Sequence, residues 1–113
     1  MRPRKNKASC PVEVTMKIIG GKWKVLILYF LFSGTKRFGE LGRCLGPISA
    51  RTLTQQLREL EIDGIIERKI FEEVPPRVEY TITSLGKSLY PILEAMADWG
   101  GHLEHVQPSK ELA

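Results

Sequence analysis

Residues 49–63 read Ser-Ala-Arg-Thr-Leu-Thr-Gln-Gln-Leu-Arg-Glu-Leu-Glu-Ile-Asp, and their spacing predicts a single amphipathic helix. Leu53, Leu57 and Leu60 recur at i, i+4 and i+7, which places them in one apolar stripe. At about 100° per residue, Arg51, Gln55 and Arg58 project from the opposite side. That side carries two cations and an amide and no carboxylate. Arg and Gln can make paired hydrogen bonds to guanine and adenine edges, so the face suits the major groove of DNA. The bland alternative is a solvated helix surface, with Arg58 paired to Glu61 or to nearby backbone.

The flanks extend this pattern in both directions. Upstream, Phe38, Leu41 and Leu45 predict a short helix from Phe38 to Leu45, followed by a tight turn at Gly46-Pro47-Ile48. Ser49 is placed to accept a bond from a free first-turn amide and so to cap the next helix. Gly64 ends that helix by supplying a left-handed residue. Helix, turn and capped helix form a helix-turn-helix. Downstream the period changes to two. Ile65 to Phe71 is rich in apolar and β-branched residues, and Val78, Tyr80 and Ile82 alternate with Glu79, Thr81 and Thr83. The connection Glu72-Glu73-Val74-Pro75-Pro76-Arg77 cannot supply the positive φ values of a two-residue turn, so a stiff protruding loop is expected. A hairpin in this place makes a winged helix.

Earlier in the chain, Pro11 suits the first turn of a helix running to about Ile19, with Val12, Met16 and Ile19 on one face. A second helix runs from Trp23 to Phe32 and reads as buried on several sides; Thr35-Lys36-Arg37 is a short connection or minimal strand. From Thr83 or Ser84 the helical period returns. Leu85, Leu89, Ile92, Met96, Trp99 and Leu103 form a heptad-like seam, with Pro91 expected to kink its first turns. A chain of 113 residues has little core with which to cover such a seam, so a second copy is expected there. The architecture is mainly α with a small β-hairpin, in one domain over residues 11–104. Residues 1–10 are expected to form a mobile basic arm and 105–113 a tail.

The net charge of +4 conceals a polarity along the chain. Residues 1–7 carry +4, residues 8–58 carry +6 and residues 59–113 carry −6. Cations thus collect around the candidate recognition helix, where phosphate neutralisation would require them. Ser49, Thr52 and Thr54 near the helix start, Lys36 and Arg37 before the third helix, and Arg77 in the wing are further phosphate or base candidates. Arg77 has an alternative as a hairpin arginine paired with Glu72 or Glu73.

Other function classes find little support. Val25 to Phe32 is an apolar run of eight residues, against the ~20 needed to span a bilayer, and charges interrupt any signal-peptide layout. No Gly-rich phosphate loop, His-Glu metal motif or nucleophile elbow is present, so no catalysis is expected. His102 and His105 lie three apart without a third ligand, so neither a metal nor another cofactor is expected. Two cysteines make no disulfide framework, and a reducing cytoplasm is the expected setting. Cys44, three residues after Leu41, is expected in the core.

Beyond these local readings, the chain resembles the HxlR-type winged-helix transcriptional regulators of bacteria. The resemblance is carried by Cys10-Pro11-Val12-Glu13, Ile19-Gly20-Gly21-Lys22-Trp23-Lys24, Arg37-Phe38-Gly39-Glu40-Leu41 and Leu53-Thr54-Gln55-Gln56-Leu57-Arg58-Glu59-Leu60. Asp63-Gly64, Val74-Pro75-Pro76-Arg77-Val78-Glu79-Tyr80 and Leu85-Gly86 complete it, over roughly residues 10 to 100. It implies a cytoplasmic homodimer on palindromic double-stranded DNA, with dimerisation through the terminal helices. Val12, Met16, Leu89, Ile92, Met96, Trp99 and Leu103 are the corresponding interface candidates. Some members of such families use a cysteine at this Cys-Pro position as a thiol sensor of oxidants or electrophiles. Lys5 and Lys7 nearby would favour the Cys10 thiolate. Two alternatives therefore stand beside the regulator: a thiol switch at Cys10, and a winged-helix module for protein contacts. A small ligand between subunits near Trp23 and Trp99 is a further expected effector.

Overall fold

A computed structural model describes residues 10–106. The expected basic arm, apart from Cys10, and residues 107–113 of the expected tail lie outside the described residues. Among the described residues, six helices and three strands follow in the order α1 (Pro11–Ile19), α2 (Lys24–Leu31), β1 (Lys36–Arg37), α3 (Phe38–Leu45), α4 (Ala50–Ile62), β2 (Ile66–Phe71), β3 (Arg77–Ile82), α5 (Ser84–Lys87) and α6 (Tyr90–Val106).

Local chemistry fixes the ends of α4. The Ser49 hydroxyl accepts the Thr52 amide at 3.0 Å, satisfying one first-turn donor. Gly64 has φ +76°, which the Ile65 amide uses to reach back to the Leu60 carbonyl at 2.9 Å. Between these caps Leu53, Leu57 and Leu60 are almost wholly buried. Each contributes about 2–3 kcal/mol of apolar burial, which holds the helix by its inner stripe. They meet Ile27, Leu28 and Leu31 of α2, Leu41 and Leu45 of α3, and Ile65 and Ile66 at the start of the wing.

The hairpin is part of a larger sheet than expected. The two residues of β1 pair antiparallel with β3, giving a three-stranded sheet in the order β1-β3-β2. Lys36 lies opposite Tyr80, and Phe71 lies opposite Arg77 across the β2–β3 ladder. Burial pushes the Tyr80 phenol above its ordinary pKa. The wing loop, residues 72–76, is exposed throughout, and its Val74–Pro75 peptide bond is cis.

Three expectations change. Pro91 does not kink a long helix: the segment is divided, with α5 capped by the Thr83 hydroxyl, which accepts the Gly86 amide at 3.0 Å, and α6 starting afresh. Proline has no amide to lose at a helix start, so Pro91 is cheapest in the first turn of a new helix. Gly86 is required here, since a Cβ would lie 2.3 Å from the Ile65 carbonyl oxygen. Cys44 is exposed, not buried. It lies about 100° around α3 from Leu45, on the flank of the stripe formed by Phe38, Leu41 and Leu45. The α2 helix is open on one side, with Leu26 and Tyr29 exposed.

The expected seam is uncovered in part, with Leu85 exposed and Leu103 half-buried. Leu93, next to Ile92, is the α6 residue buried in the core, with Leu89 packed partly against it. Ile92, Met96 and Trp99 are exposed, Trp99 at 69%. Val12 and Met16 of α1 are exposed as well, while Ile19 is buried. Among the described residues, no helix is long and apolar enough to cross a membrane.

Candidate nucleic-acid interface

Among the described residues, nothing covers the outer side of α4. Arg51, Thr54, Gln55 and Arg58 are all exposed and together line one continuous surface of the helix. Neither arginine forms an ion pair among the described residues; Glu61, the expected rival for Arg58, lies instead 3.6 Å from Arg68. Both guanidinium groups therefore keep their full set of donors for an outside acceptor. Ser49 is exposed, but its hydroxyl already caps the helix and also donates to Thr52 Oγ1 at 3.0 Å. Thr52 is half-buried.

Other expected contacts sit at different depths. Arg37 is exposed, and its amide donates to Glu40 Oε1 at 2.8 Å, which starts α3. Lys36 is half-buried with its ammonium donating to Ser33 Oγ at 3.2 Å. Arg77 takes the alternative role. Its guanidinium lies 2.9 Å from Glu73 and 3.0 Å from Glu79, and it stacks 4.1 Å from the Phe71 ring centroid. Its Nε is buried without a partner. The cross-strand register explains this: Phe71 is directly opposite Arg77, and Glu79 is two residues on along the same face of β3. Arg77 thus ties the base of the wing together.

One pair near the helix was not anticipated. Lys24 at the start of α2 is largely buried, and its ammonium forms an ion pair with Glu59 of α4. Lys24 lowers the pKa of the Glu59 carboxyl, by hydrogen bonding first and by charge second. Glu59 also accepts from Gln55 Nε2 at 3.5 Å. A buried ammonium needs such a partner, because an unpaired charge away from water is costly. The pair pins α4 to α2 and reaches, through Glu59, a side chain on the outer face. Neither residue stood out in sequence, since the two are 35 positions apart.

Cys10 is exposed and precedes the first turn of α1. Trp23 packs partly against the core under the Lys22 ammonium, 4.6 Å from its ring centroid. Among the described residues, no group of three or more His, Cys, Asp or Glu side chains converges as a metal site would require.

A capped helix with a free basic outer face, preceded by a helix and turn and followed by a sheet-based wing, defines a winged helix-turn-helix protein. The HxlR-like helix-turn-helix family matches residues 18–108, and the chain belongs to that family. The uncharacterized HTH-type transcriptional regulator YkvN of Bacillus subtilis is 53% identical over 96 residues, covering 85% of this chain and 81% of YkvN. Among solved structures, the redox regulator HypR in its reduced form superposes with a TM-score of 0.83 at 47% identity, covering 88% of this chain and 99% of HypR. HypR in its oxidised form gives 0.80 at 49% identity, over 82% and 96%.

Proposed function

We propose that this protein is a sequence-specific DNA-binding transcriptional regulator that acts as a homodimer on a palindromic operator, as a repressor. The observation that carries the reading is the outward side of α4, where Arg51, Gln55 and Arg58 stand exposed with no described ion pair. Placed in a major groove, the arginines reach guanine edges or phosphates and Gln55 reaches adenine. Ser49, Thr52 and Thr54 at the helix start are phosphate or base contacts; Lys36 and Arg37, just before α3, are further phosphate contacts. The basic arm would add non-specific, salt-sensitive affinity. The pairing of Arg77 with Glu73 and Glu79 gives it a supporting part, presenting the wing loop to the flanking backbone.

Dimerisation rests on apolar surface left bare within one chain. Val12 and Met16 on α1, with Ile92, Met96 and Trp99 on α6, are the exposed residues that a second copy would cover, and the half-buried Leu103 extends them. A two-fold dimer then sets two α4 helices in successive grooves. Selection from a pool of random duplexes tests this. The expected product is an inverted repeat with half-sites about one helical turn, roughly 10 base pairs, apart. An unenriched pool or a single asymmetric site would refute it.

A second reading adds regulation at Cys10. It is favoured by the exposure of that thiol at the head of α1, the helix that also bears Val12 and Met16. The likeness to HypR, solved in oxidised and reduced forms, supports it further. Mass spectrometry after mild oxidant treatment should show Cys10 modified; an unmodified thiol in folded, DNA-binding protein would remove this reading.

A further inference from the structure

A groove of about 590 Å³ lies between the C-terminal end of α2 and one side of α6. Aromatic rings form its walls: Tyr29 of α2, Phe32 capping the end of α2, and Tyr90 of α6, the last two packed edge to face with centroids 5.0 Å apart. Leu93 and Ala97 make an apolar floor, and the small side chain of Ala97 leaves depth beside it. Two carboxylates, Glu94 and Asp98, complete the lining at i and i+4 on α6.

The charge within this groove is negative, with the Lys36 ammonium, 3.2 Å from Ser33 Oγ, standing at its rim. Like charges at i,i+4 disfavour a helix, and neither Glu94 nor Asp98 has an ion-pair partner among the described residues. The Tyr90 hydroxyl donates to Glu94 at 3.2 Å, which aims the carboxylate at the ring-lined space. Glu94 in turn raises the pKa of the Tyr90 phenol, chiefly by its charge. The last turn of α2 has no basic residue, and its end carries the negative pole of the helix dipole. Aromatic faces add their own negative quadrupole. Among the described residues, Lys and Arg are absent from the lining.

We propose that this groove is a binding site for a hydrophobic organic cation, a monocation carrying aryl or alkyl groups. The carboxylates neutralise its charge, the rings contact it through cation–π interaction, and Leu93 and Ala97 take its apolar body. The volume falls in the range that suits a drug-sized ligand. At about 100° per residue, the groove side of α6 (residues 90, 94, 97 and 98) points away from the Ile92–Met96–Trp99 seam. The assignment does not depend on DNA binding.

Isothermal titration of the full chain with tetraphenylphosphonium tests it, with tetraphenylborate as a probe of the same shape and opposite charge. The expected result is one phosphonium bound per chain, with the borate at least about tenfold weaker. The double variant Glu94→Gln, Asp98→Asn changes exposed residues at nearly constant shape and should weaken the phosphonium by about tenfold or more. Absence of phosphonium binding at millimolar concentration, equal affinity for the two probes, or undiminished binding by the folded double variant would each overturn the proposal. The comparison of probes on the unaltered protein decides the matter even if the variant is unstable.

Discussion

Single residues divide here by where their charge ends. Arg51 and Arg58 face outward on α4 and Arg77 is consumed by Glu73, Glu79 and Phe71, although all three are arginines in a basic protein. The first two were legible because helical phase alone puts them opposite three leucines. The third depended on strand register, which an irregular proline loop does not specify. The Lys24–Glu59 pair was hidden for a related reason: periodicity describes one element and carries no information on which side chain of α2 meets α4. That pair has a pH signature. Because the Glu59 pKa is depressed in the folded protein, its stabilisation is fully present above the unfolded-state value, about 4.3. It is lost as pH falls through the lower folded-state value. Glu59→Gln should therefore melt below wild type at neutral pH, and the gap should close in acid; a gap independent of pH would argue against the pairing.

At the scale of elements, the decisive ones were readable because their signals are local. Ser49, the leucine stripe and Gly64 specify α4 from start to end, and the structure places its caps as those residues require. Ser49→Ala should cost about 1 kcal/mol of stability, read by thermal or denaturant unfolding. No change would mean that the Thr52 amide finds another partner. The division between α5 and α6 was only half visible. Pro91 was recognised as a disturbance, but a kink and a fresh start give the same residue pattern, and the choice is made by Leu93 reaching the core. Cys44 shows the same limit, since a short helix has a narrow buried stripe and its flank is decided by neighbours.

The whole molecule is an assembly question. One chain leaves Ile92, Met96 and Trp99 uncovered on α6 and Val12 and Met16 uncovered on α1. The heptad spacing announced the first set, and the second follows from a helix too short to bury both sides. Met96→Glu should yield folded monomers in light scattering, because position 96 is half exposed within the chain and the introduced carboxylate would be stranded only in a dimer. Retention of the dimer would move the interface elsewhere. The regulator account itself rests on the free side of α4. Its most direct test is the affinity of Arg58→Ala for the selected operator, measured beside wild type at matched salt. A loss of about 1–3 kcal/mol, with relaxed preference at one position of each half-site, is the predicted result. Equal affinity and unchanged preference would contradict the placement of this helix in the groove.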